Sequence, residues 1–452
     1  MSRFFFDNAL LPSGWVKNVC IDTDTDGWIS GITQGITVSD ADHYDHIAIP
    51  GMPNLHSHAF QRAMAGRAEI KGPNDDNFWT WRQAMYQFVE QLNPDDLKVI
   101  ARLLYVEMLE AGYTSVAEFH YLHHTPSGHP YDDIGEMASA IATAAGTSGI
   151  GLTFLPVFYA NGGFGGKPST DGQRRFTNTP DRYADLFNRI QALSQTLPDA
   201  NVGIAPHSLR AVTPESLSDI LALANNVPIH IHIAEQTKEV EECLAWSGQR
   251  SVEWLLDKTD VNQHWCLIHA THLTATERQG IATSGAVAGL CPITEANLGD
   301  GIFDGVAFIN DGGQFGIGSD SNVYISVAEE LRLLEYSQRL RDQGRNLLAG
   351  AGATGRSLFS RAVVGGAQAV GRKIGQLASG YRADIVALDQ DHPSLAGHDG
   401  DGWLDAWIFA ADNQAVSNVW VGGHHVVCDG RHSDRDPARR DFNKTIARLL
   451  SV

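Results

Sequence analysis

Residues 51–60 read GMPNLHSHAF, and they close an apolar run that begins near residue 46. A buried strand that ends in two histidines, His56 and His58, is unusual, because polar side chains in a protein interior need partners. Residues i and i+2 of a strand share a face, so both imidazoles would point into the same space. A chain with 19 histidines among 452 residues contains about one such pair by chance. The pair therefore needs support from the rest of the sequence.

Eight short apolar runs rich in β-branched residues recur along the chain, and helical apolar spacing fills most of the gaps between them. They lie at 47–55, 113–120, 149–159, 202–207, 227–233, 265–270, 286–291 and 315–320. Strands that alternate with helices are typical of a parallel sheet closed into a barrel. The sequence therefore predicts an α/β fold, with a (β/α)8 barrel of the TIM type over residues 48–375.

The two ends of the chain have a different pattern. Residues 1–47 and 376–452 contain short apolar segments separated by Gly, Asp and Asn, and helical spacing is rare before the C-terminus. Such segments predict strands joined by tight turns. We expect the two flanks to pair into one small β-sandwich domain beside the barrel.

Charge and cysteine content limit the classes of partner and compartment. The chain carries 33 Lys and Arg against 53 Asp and Glu, a net charge of -20, which repels nucleic acid and anionic membranes. An anionic small substrate requires arginines that locally reverse this field. Five scattered cysteines without CxxC spacing argue against a disulfide scaffold, so a reducing cytoplasm is the expected location. No apolar run approaches the length of a membrane span.

Three other predicted strands also end in side chains that bind metals or carry protons. The fifth run contains His230 and His232, the sixth contains His269, and the eighth ends at Asp320. Active sites of such barrels lie at the carboxyl ends of the strands. Three imidazoles and a carboxylate, with a position left open for water, suit a catalytic Zn²⁺ or a similar divalent ion.

The pattern of HxH after strand one, His on strands five and six and Asp on strand eight resembles the amidohydrolase superfamily, over nearly the whole chain. The stretch IGQLASGYRAD at 374–384 also resembles the segment by which these enzymes re-enter the small β domain. The resemblance implies four metal ligands, which are His56, His58, His232 and Asp320. The fourth run, IAPH at 204–207, lacks the lysine that bridges two metals in many members. One divalent metal is therefore predicted, Zn²⁺ with Fe²⁺ as the alternative, and His230 is expected to be an interior residue.

The spacing from His232 to Glu235 resembles the HxxE of the superfamily's deaminases. Glu235 would lie one short turn beyond a ligand, where it can move protons without binding the metal. Its alternative role is that of an N-cap or first-turn acid of the next helix. The predicted catalytic residues are Glu235, His269 and Asp320. The last two would orient a water and accept its proton, and Glu235 would protonate the departing nitrogen.

Polar side chains in the regions after the strands predict the kind of substrate. Gln61 follows strand one, Arg82 ends the stretch NFWTWR, Tyr121 follows strand two, and His207 with Arg210 follows strand four. Guanidinium groups bind carboxylates in a bidentate manner, so two arginines indicate a small anionic substrate. A surface ion pair is the alternative for each arginine.

Five motifs closely resemble the formimidoylglutamate deiminase family of histidine degradation. They are NLHSHAFQRAMAG at 54–66, WTWR at 79–82, EFHYLHH at 118–124, APHSLR at 205–210 and GSDSN at 318–322. The resemblance implies hydrolysis of N-formimidoyl-L-glutamate to N-formyl-L-glutamate and ammonia by a homodimer. It also implies five substrate contacts, which are Gln61, Arg82, Tyr121, His207 and Arg210. Two alternatives stay open, a mononuclear deaminase of a ring amidine such as a purine or pterin, and a non-catalytic member kept for assembly.

Overall fold

The computed structural model describes residues 2–35, 41–71, 76–350 and 352–451. The strands are β1 Ser2–Leu11, β2 Gly14–Thr23, β3 Ile29–Gln34, β4 Asp42–Pro50, β5 Met52–Ser57, β6 Tyr113–His120, β7 Gly151–Phe158, β8 Ala200–Val202, β9 Ala205–Pro206, β10 Ile229–Ile233, β11 Trp265–His269, β12 Val287–Leu290, β13 Gln314–Ile317, β14 Ile385–Asp389, β15 Val416–Val421, β16 His424–Cys428 and β17 Arg431–His432. The helices are α1 Phe78–Val89, α2 Pro94–Glu110, α3 Glu136–Ser148, α4 Pro180–Ser194, α5 Pro214–Leu221, α6 Thr237–Ser247, α7 Ser251–Lys258, α8 Ala275–Ser284, α9 Pro292–Leu298, α10 Gly305–Asn310, α11 Val327–Asp342, α12 Thr354–Ala369, α13 Asp401–Ala410 and α14 Arg435–Leu449. Short 3-10 helices lie at Ala59–Met64, Asp171–Gln173, Leu209–Ala211 and Asn413–Ala415.

The middle of the chain forms two parallel sheets. One contains β5 to β8 as consecutive neighbours with β9 also paired to β7, and the other contains β10 to β13. Isolated parallel bridges join the two sheets, Ile204 with Ile229 and Ser208 with His232 on one side and Ser57 with Asp320 on the other. The predicted mixture of helices and parallel strands is confirmed. The eight strands are not closed by one continuous ladder of pairs among the described residues.

The flanking segments pair with each other in one sheet of eight strands. Its order is β17-β16-β15-β14-β4-β1-β2-β3, so N-terminal and C-terminal strands meet where β14 pairs with β4. Val386 and Leu388 of β14 join the large core, whereas Ile385 and Ala387 belong to a second apolar cluster. This alternation is what strand geometry requires when both faces are covered. The described strands of the flanks form a single sheet, so the predicted two-sheet sandwich is not confirmed.

The first predicted barrel strand is shorter than its apolar run. The run at 47–55 contains two strands of different sheets, because β4 ends at Pro50 and β5 begins at Met52. Gly51 separates them, and its backbone passes so close to the Thr114 side chain that a Cβ has no room. The predicted boundary between the two domains consequently falls inside β4, and the division into domains stays a prediction.

Two adjacent glycines let α12 pack closely on strands β13 and β5. A Cβ on Gly365 would overlap the backbone of Phe315 in β13, and a Cβ on Gly366 would lie 3.1 Å from Pro53 in β5. This contact matters for the functional site, because β13 leads directly into Asp320. The helix therefore supports the strand that carries one of the predicted metal ligands.

Replacing Gly365 with Ala is expected to lower the free energy of unfolding by about 1–3 kcal/mol, because overpacking forces helix and strand apart. The loss is expected even though alanine is the better helix former by about 1 kcal/mol. Chemical denaturation of the purified protein measures the change. Val364→Ala is the matched control, since that side chain is 48% exposed and its loss should change stability by less than about 0.5 kcal/mol. Parental stability of Gly365→Ala would contradict the close contact.

Two further features concern possible attachment to membranes and covalent cross-links. In the described part of the chain, no helix combines the length and apolar character that crossing a bilayer requires. Cys243, Cys266 and Cys291 are buried free thiols, and Cys428 is an exposed one. The packing of the fold therefore rests on non-covalent contacts at these positions.

Candidate metal and substrate site

Four side chains from three strand ends converge on one point. The Nε2 atom of His56 lies 3.1 Å from that of His58 and 3.0 Å from that of His232. One carboxylate oxygen of Asp320 lies 3.4 Å from His56 Nε2 and 3.2 Å from His58 Nε2. The four donor atoms all fall within 4.8 Å of one another, and all four residues are buried. The structure thus brings the four predicted metal ligands together.

The hydrogen bonds of two of these histidines show that the group fits a cation. His58 Nδ1 donates to the Phe119 carbonyl at 2.9 Å, and His232 Nδ1 donates to the His207 carbonyl at 3.0 Å. Both rings then present Nε2 as a lone pair. Lone pairs and a carboxylate oxygen held this close repel one another unless a positive charge lies among them. The donor set therefore suits a divalent metal ion, and such nitrogen and oxygen donors accept zinc or iron.

Backbone hydrogen bonds join the segment that follows β13 to the end of β5 at the predicted metal ligands themselves. The Asp320 N–H donates to the His56 carbonyl, and the His58 N–H donates to the Asp320 carbonyl, both at 3.0 Å. Gly318 permits this approach, since a Cβ there would lie 2.8 Å from the His56 backbone. The Asn322 side-chain amide donates to the carbonyls of His58 and Asp320 at 3.0 and 2.9 Å. The ligand geometry is therefore set by the backbone as well as by the side chains.

Several residues at this edge of the sheets adopt left-handed backbone angles without being glycine. The φ angles are +50° at Ala234, +68° at His269, +47° at Ala270 and +43° at Asp320. Such angles cost about 1–3 kcal/mol each and persist only where the surrounding structure holds them. They turn the chain sharply at the strand ends, so His269 and Asp320 face the cluster.

His269 and Glu235 lie beside the four ligands. His269 Nε2 is 3.7 Å from the second carboxylate oxygen of Asp320 and 3.8 Å from Glu235 Oε1. Burial disfavours a charge on His269, but the charge of Glu235 and a hydrogen bond to Glu295 raise its pKa to about 10. Burial raises the pKa of Glu235, with the charge of His269 opposing it. Burial also disfavours a charge on Asp320, yet the adjacent imidazoles of His56 and His58 hold its pKa well below the usual range.

A cavity opens in front of this cluster. The predicted substrate-binding and catalytic residues, which include the ligand Asp320, all line it together with two further predicted ligands: Gln61, Arg82, Tyr121, His207, Arg210, Glu235, His269, Asp320, His58 and His232. Apolar and aromatic side chains complete the wall, which are Phe78, Trp81, Met85, Tyr86, Tyr159, Phe176 and Leu298. Of the predicted site residues, His56 is the one that lies behind the wall, and it is fully buried.

Polar atoms of the cavity wall lack partners within the described ranges. Arg210 is buried, and its Nε atom has no hydrogen-bond partner. Gln61 donates to the Tyr121 hydroxyl at 3.0 Å, but its buried Oε1 atom is also without a partner. The guanidinium carbons of Arg82 and Arg210 lie 4.5 and 5.5 Å from the centre of the Trp79 ring. Cations gathered around one indole at a cavity favour an anionic ligand.

His230 is not part of the metal group although it shares a strand with His232. Its Nε2 donates to the Ala369 carbonyl of α12 at 2.8 Å, and the residue is fully buried. Strand β9 leads to His207, so strand four brings an imidazole to the cavity and no lysine. His230 is therefore an interior residue.

Three residues of the site were not predicted from the sequence. Tyr159 follows β7 and lines the cavity. The search for polar side chains at the carboxyl ends of strands, which identified the metal ligands, could therefore have identified Tyr159 as well. Glu239 accepts the backbone N–H of Glu235 at 3.2 Å, and Glu295 lies 3.3 Å from His269. Both of these acids lie in helices, where no spacing in the sequence distinguishes them from solvated surface acids.

Comparison with known proteins shows the class to which this fold and site belong. The model of the amidohydrolase family matches residues 47–426, and the chain belongs to this family. A curated formimidoylglutamate deiminase from Pseudomonas aeruginosa is 50% identical over 453 residues, covering 100% of both chains. A crystal structure of an amidohydrolase from Brucella melitensis has a TM-score of 0.96 at 51% identity, and it covers 100% of both chains.

A more distant solved structure shares the fold. It is an adenosine deaminase from Xanthomonas campestris with bound zinc, with a TM-score of 0.82 at 20% identity. The match covers 100% of this chain and 98% of that one. At this level of identity the likeness concerns the fold alone.

Proposed function

We propose that this protein hydrolyses N-formimidoyl-L-glutamate to N-formyl-L-glutamate and ammonia, a step of histidine degradation. The observation that carries the proposal is one cavity that joins a four-donor metal group, Glu235 and two arginines. The relative from Pseudomonas aeruginosa that is named formimidoylglutamate deiminase is 50% identical over the full length, and it supports the same substrate. Hydrolysis of a C–N bond is also the chemistry that the amidohydrolase family implies.

The cations of the cavity match the charges of this substrate. N-formimidoyl-L-glutamate carries two carboxylates, and Arg82 and Arg210 both lie beside Trp79. A protein with a net charge of -20 needs such local cations to bind an anion. We assign the remaining substrate contacts to uncharged groups, Gln61, Tyr121 and His207. Burial and the charge of Arg210 hold the pKa of His207 well below its usual range, so this ring stays neutral.

The cluster beside the arginines supplies the chemistry. His56, His58, His232 and Asp320 would hold one divalent ion, either Zn²⁺ or Fe²⁺. When bound, such an ion lowers the pKa of water from 15.7 to about 7 and so makes hydroxide available at neutral pH. Asp320 and His269 orient the attacking water, and Asp320 accepts its proton, because the raised pKa of His269 keeps that imidazole protonated at neutral pH. Glu235 gives a proton to the imino nitrogen, and the proton taken from the water is passed on to the same nitrogen. The C–N bond then breaks as the added hydroxyl loses its own proton to Glu235 and becomes a carbonyl, and ammonia leaves.

We also propose that the two parallel sheets form a (β/α)8 barrel beside a separate small β domain. The bridges between Ser57 and Asp320 and between Ile204 and Ile229 support closure of the barrel. The first flank of the small domain then extends to Pro50, where β4 ends. A cytoplasmic homodimer is proposed from the family resemblance and the scattered cysteines without CxxC spacing. A light-scattering mass of one 49.1 kDa chain would contradict the dimer.

Purified protein is expected to release ammonia from N-formimidoyl-L-glutamate and not from a panel of purines and pterins. A coupled ammonia assay measures both, and elemental analysis of the same sample is expected to find one metal ion per chain. The ring amidines are included because Trp81 and Tyr86 in the cavity wall offer aromatic faces on which a ring can stack. Activity on ring compounds alone would contradict the proposed substrate. A metal-loaded protein that hydrolyses none of these compounds would favour the non-catalytic alternative.

A further inference from the structure

A buried carboxylate lies beside the ring nitrogen of His269 that does not face the metal group. Glu295 Oε1 is 3.3 Å from His269 Nδ1, while Nε2 of the same ring faces Asp320 and Glu235 at 3.7 and 3.8 Å. Glu295 is 5% exposed and is not among the residues that line the cavity. It therefore contacts the His269 ring without reaching the substrate.

The chain holds the Glu295 carboxylate in a fixed place. Glu295 lies in α9, and its Oε1 folds back to accept the Cys291 backbone N–H at 2.9 Å. The neighbouring Thr294 hydroxyl donates to the Ser319 carbonyl at 3.3 Å, one residue before Asp320. The helix that carries Glu295 is thereby tied to the loop that carries Asp320. The carboxylates on the two sides of the His269 ring thus belong to one hydrogen-bonded unit.

We propose that Glu295 is a positioning residue for His269, an inference that rests on the hydrolysis proposed above. An imidazole ring can turn over and exchange the places of its two nitrogens, and a hydrogen bond at one nitrogen fixes which of them faces the site. The Glu295 carboxylate accepts a hydrogen bond from Nδ1–H. Nε2 is then directed at Asp320 and Glu235, where the proton of the attacking water has to move.

The backbone at His269 gives a second reason for such support. Its φ angle is +68°, in the left-handed region that side chains other than glycine adopt only when held. The His269 ring also stacks on the His232 ring, with centroids 5.6 Å apart and planes 15° from parallel. Stacking fixes the plane of the ring but does not distinguish its two nitrogens. The hydrogen bond to Glu295 makes that distinction.

A helix-capping role is the alternative for Glu295, and a second buried glutamate separates the two explanations. Glu330 in α11 is 0% exposed, and its Oε2 accepts the Ile293 backbone N–H of α9 at 2.9 Å. It therefore caps the same first turn as Glu295 without a hydrogen bond to His269. Replacing either glutamate with Gln alters a cap of α9, but only Glu295→Gln alters the partner of the imidazole.

Glu295→Ala is expected to lower kcat by about 10- to 100-fold, the usual effect of losing a group that orients an active-site ligand or base. KM for N-formimidoyl-L-glutamate is expected to stay within about threefold, because Glu295 does not contact the substrate. Glu295→Gln keeps an acceptor for Nδ1–H but loses the charge, so its kcat should fall between those of the parent and Glu295→Ala. Glu330→Gln is expected to keep the parental kcat. Metal content per chain should be the same in all variants.

Three results would overturn the inference. They are a parental kcat in Glu295→Gln, a loss in Glu330→Gln as large as that in Glu295→Gln, and a change confined to KM. If Glu295→Ala does not fold, the two Gln variants still decide between positioning and capping. If the parent hydrolyses another amidine in place of N-formimidoyl-L-glutamate, the proposed function fails. The same variants are then measured on that amidine, which separates the two failures.

Discussion

Replacing Glu235 with Gln is expected to lower kcat by about 10²- to 10⁴-fold, the contribution typical of a positioned general acid or base. Glu235 is 5% exposed, and its Oε1 lies 3.8 Å from His269 Nε2. Burial raises the pKa of its carboxyl, which favours a group that holds a proton near neutral pH and releases it during the reaction. Gln keeps the shape of the side chain and removes that proton. Ammonia release at saturating substrate measures the loss.

A matched variant and a metal determination distinguish this loss from damage to the site. Glu241→Gln makes the same chemical change at an exposed position of α6, and it is expected to keep the parental kcat. Metal content should be unchanged in both variants, because no predicted ligand is replaced. Parental turnover in Glu235→Gln would remove Glu235 from proton transfer. It would leave that residue as an acid at the start of α6, the alternative stated from the sequence.

The positions of the strands were predictable because buried parallel strands read as short, continuous apolar runs. Tyr113–His120 (β6) and Trp265–His269 (β11) lie where their runs placed them. The run at 47–55 was wrongly predicted to be one strand, because an apolar pattern does not show which strands a segment pairs with. At Gly51 the backbone N–H bonds to the Asp384 carbonyl, and at the next residue it bonds to the Gly112 carbonyl. This change of partner is a tertiary event that the sequence alone does not show.

The metal group was predictable for a different reason, since the carboxyl ends of parallel strands meet at one edge of the fold. His232 and Asp320 could therefore be placed together although 87 residues of sequence lie between them. Glu295 was not predictable, because its contact is tertiary: it lies in α9, 3.3 Å from a ring nitrogen of His269 at the end of β11. Arg82 was named among the polar side chains after the strands, and the family resemblance implied its contact with the substrate. Its guanidinium carbon lies 4.5 Å from the centre of the Trp79 ring, a contact between residues three apart in α1.

Replacing Arg210 with Ala is expected to lower kcat/KM for N-formimidoyl-L-glutamate by about 10- to 100-fold. The reason is that hydrogen bonds to charged groups contribute about 1.5–3 kcal/mol. Arg210 is 7% exposed, and within the described ranges its Nε atom has no partner. A buried guanidinium with an unused donor is complementary to an anion that a ligand supplies. Initial-rate kinetics on the purified variant measure the effect.

Lys238→Met tests whether a general positive field explains the same loss. The Lys238 side chain is 56% exposed, and its Nζ lies 4.6 Å from the centre of the Trp79 ring. Lys238 therefore places a positive charge beside the same indole, but it lacks the buried guanidinium group of Arg210. A cation at the rim is expected to change kcat/KM by less than about threefold, and that change should shrink as salt is added. If kcat/KM fell equally in the two variants, Arg210 would contribute only positive charge and would make no specific contact with the substrate.

Substrate analogues that lack one carboxylate identify the group that Arg210 binds. If Arg210 binds the side-chain carboxylate, Arg210→Ala should cost little on N-formimidoyl-2-aminobutyrate, because the interaction is already absent there. The full loss should persist on N-formimidoyl-4-aminobutyrate, which lacks the α-carboxylate. Arg82→Ala is expected to show the opposite pattern, since two guanidinium groups beside one indole have two carboxylates to bind. Full losses for both variants on both analogues would mean that neither arginine contacts a carboxylate.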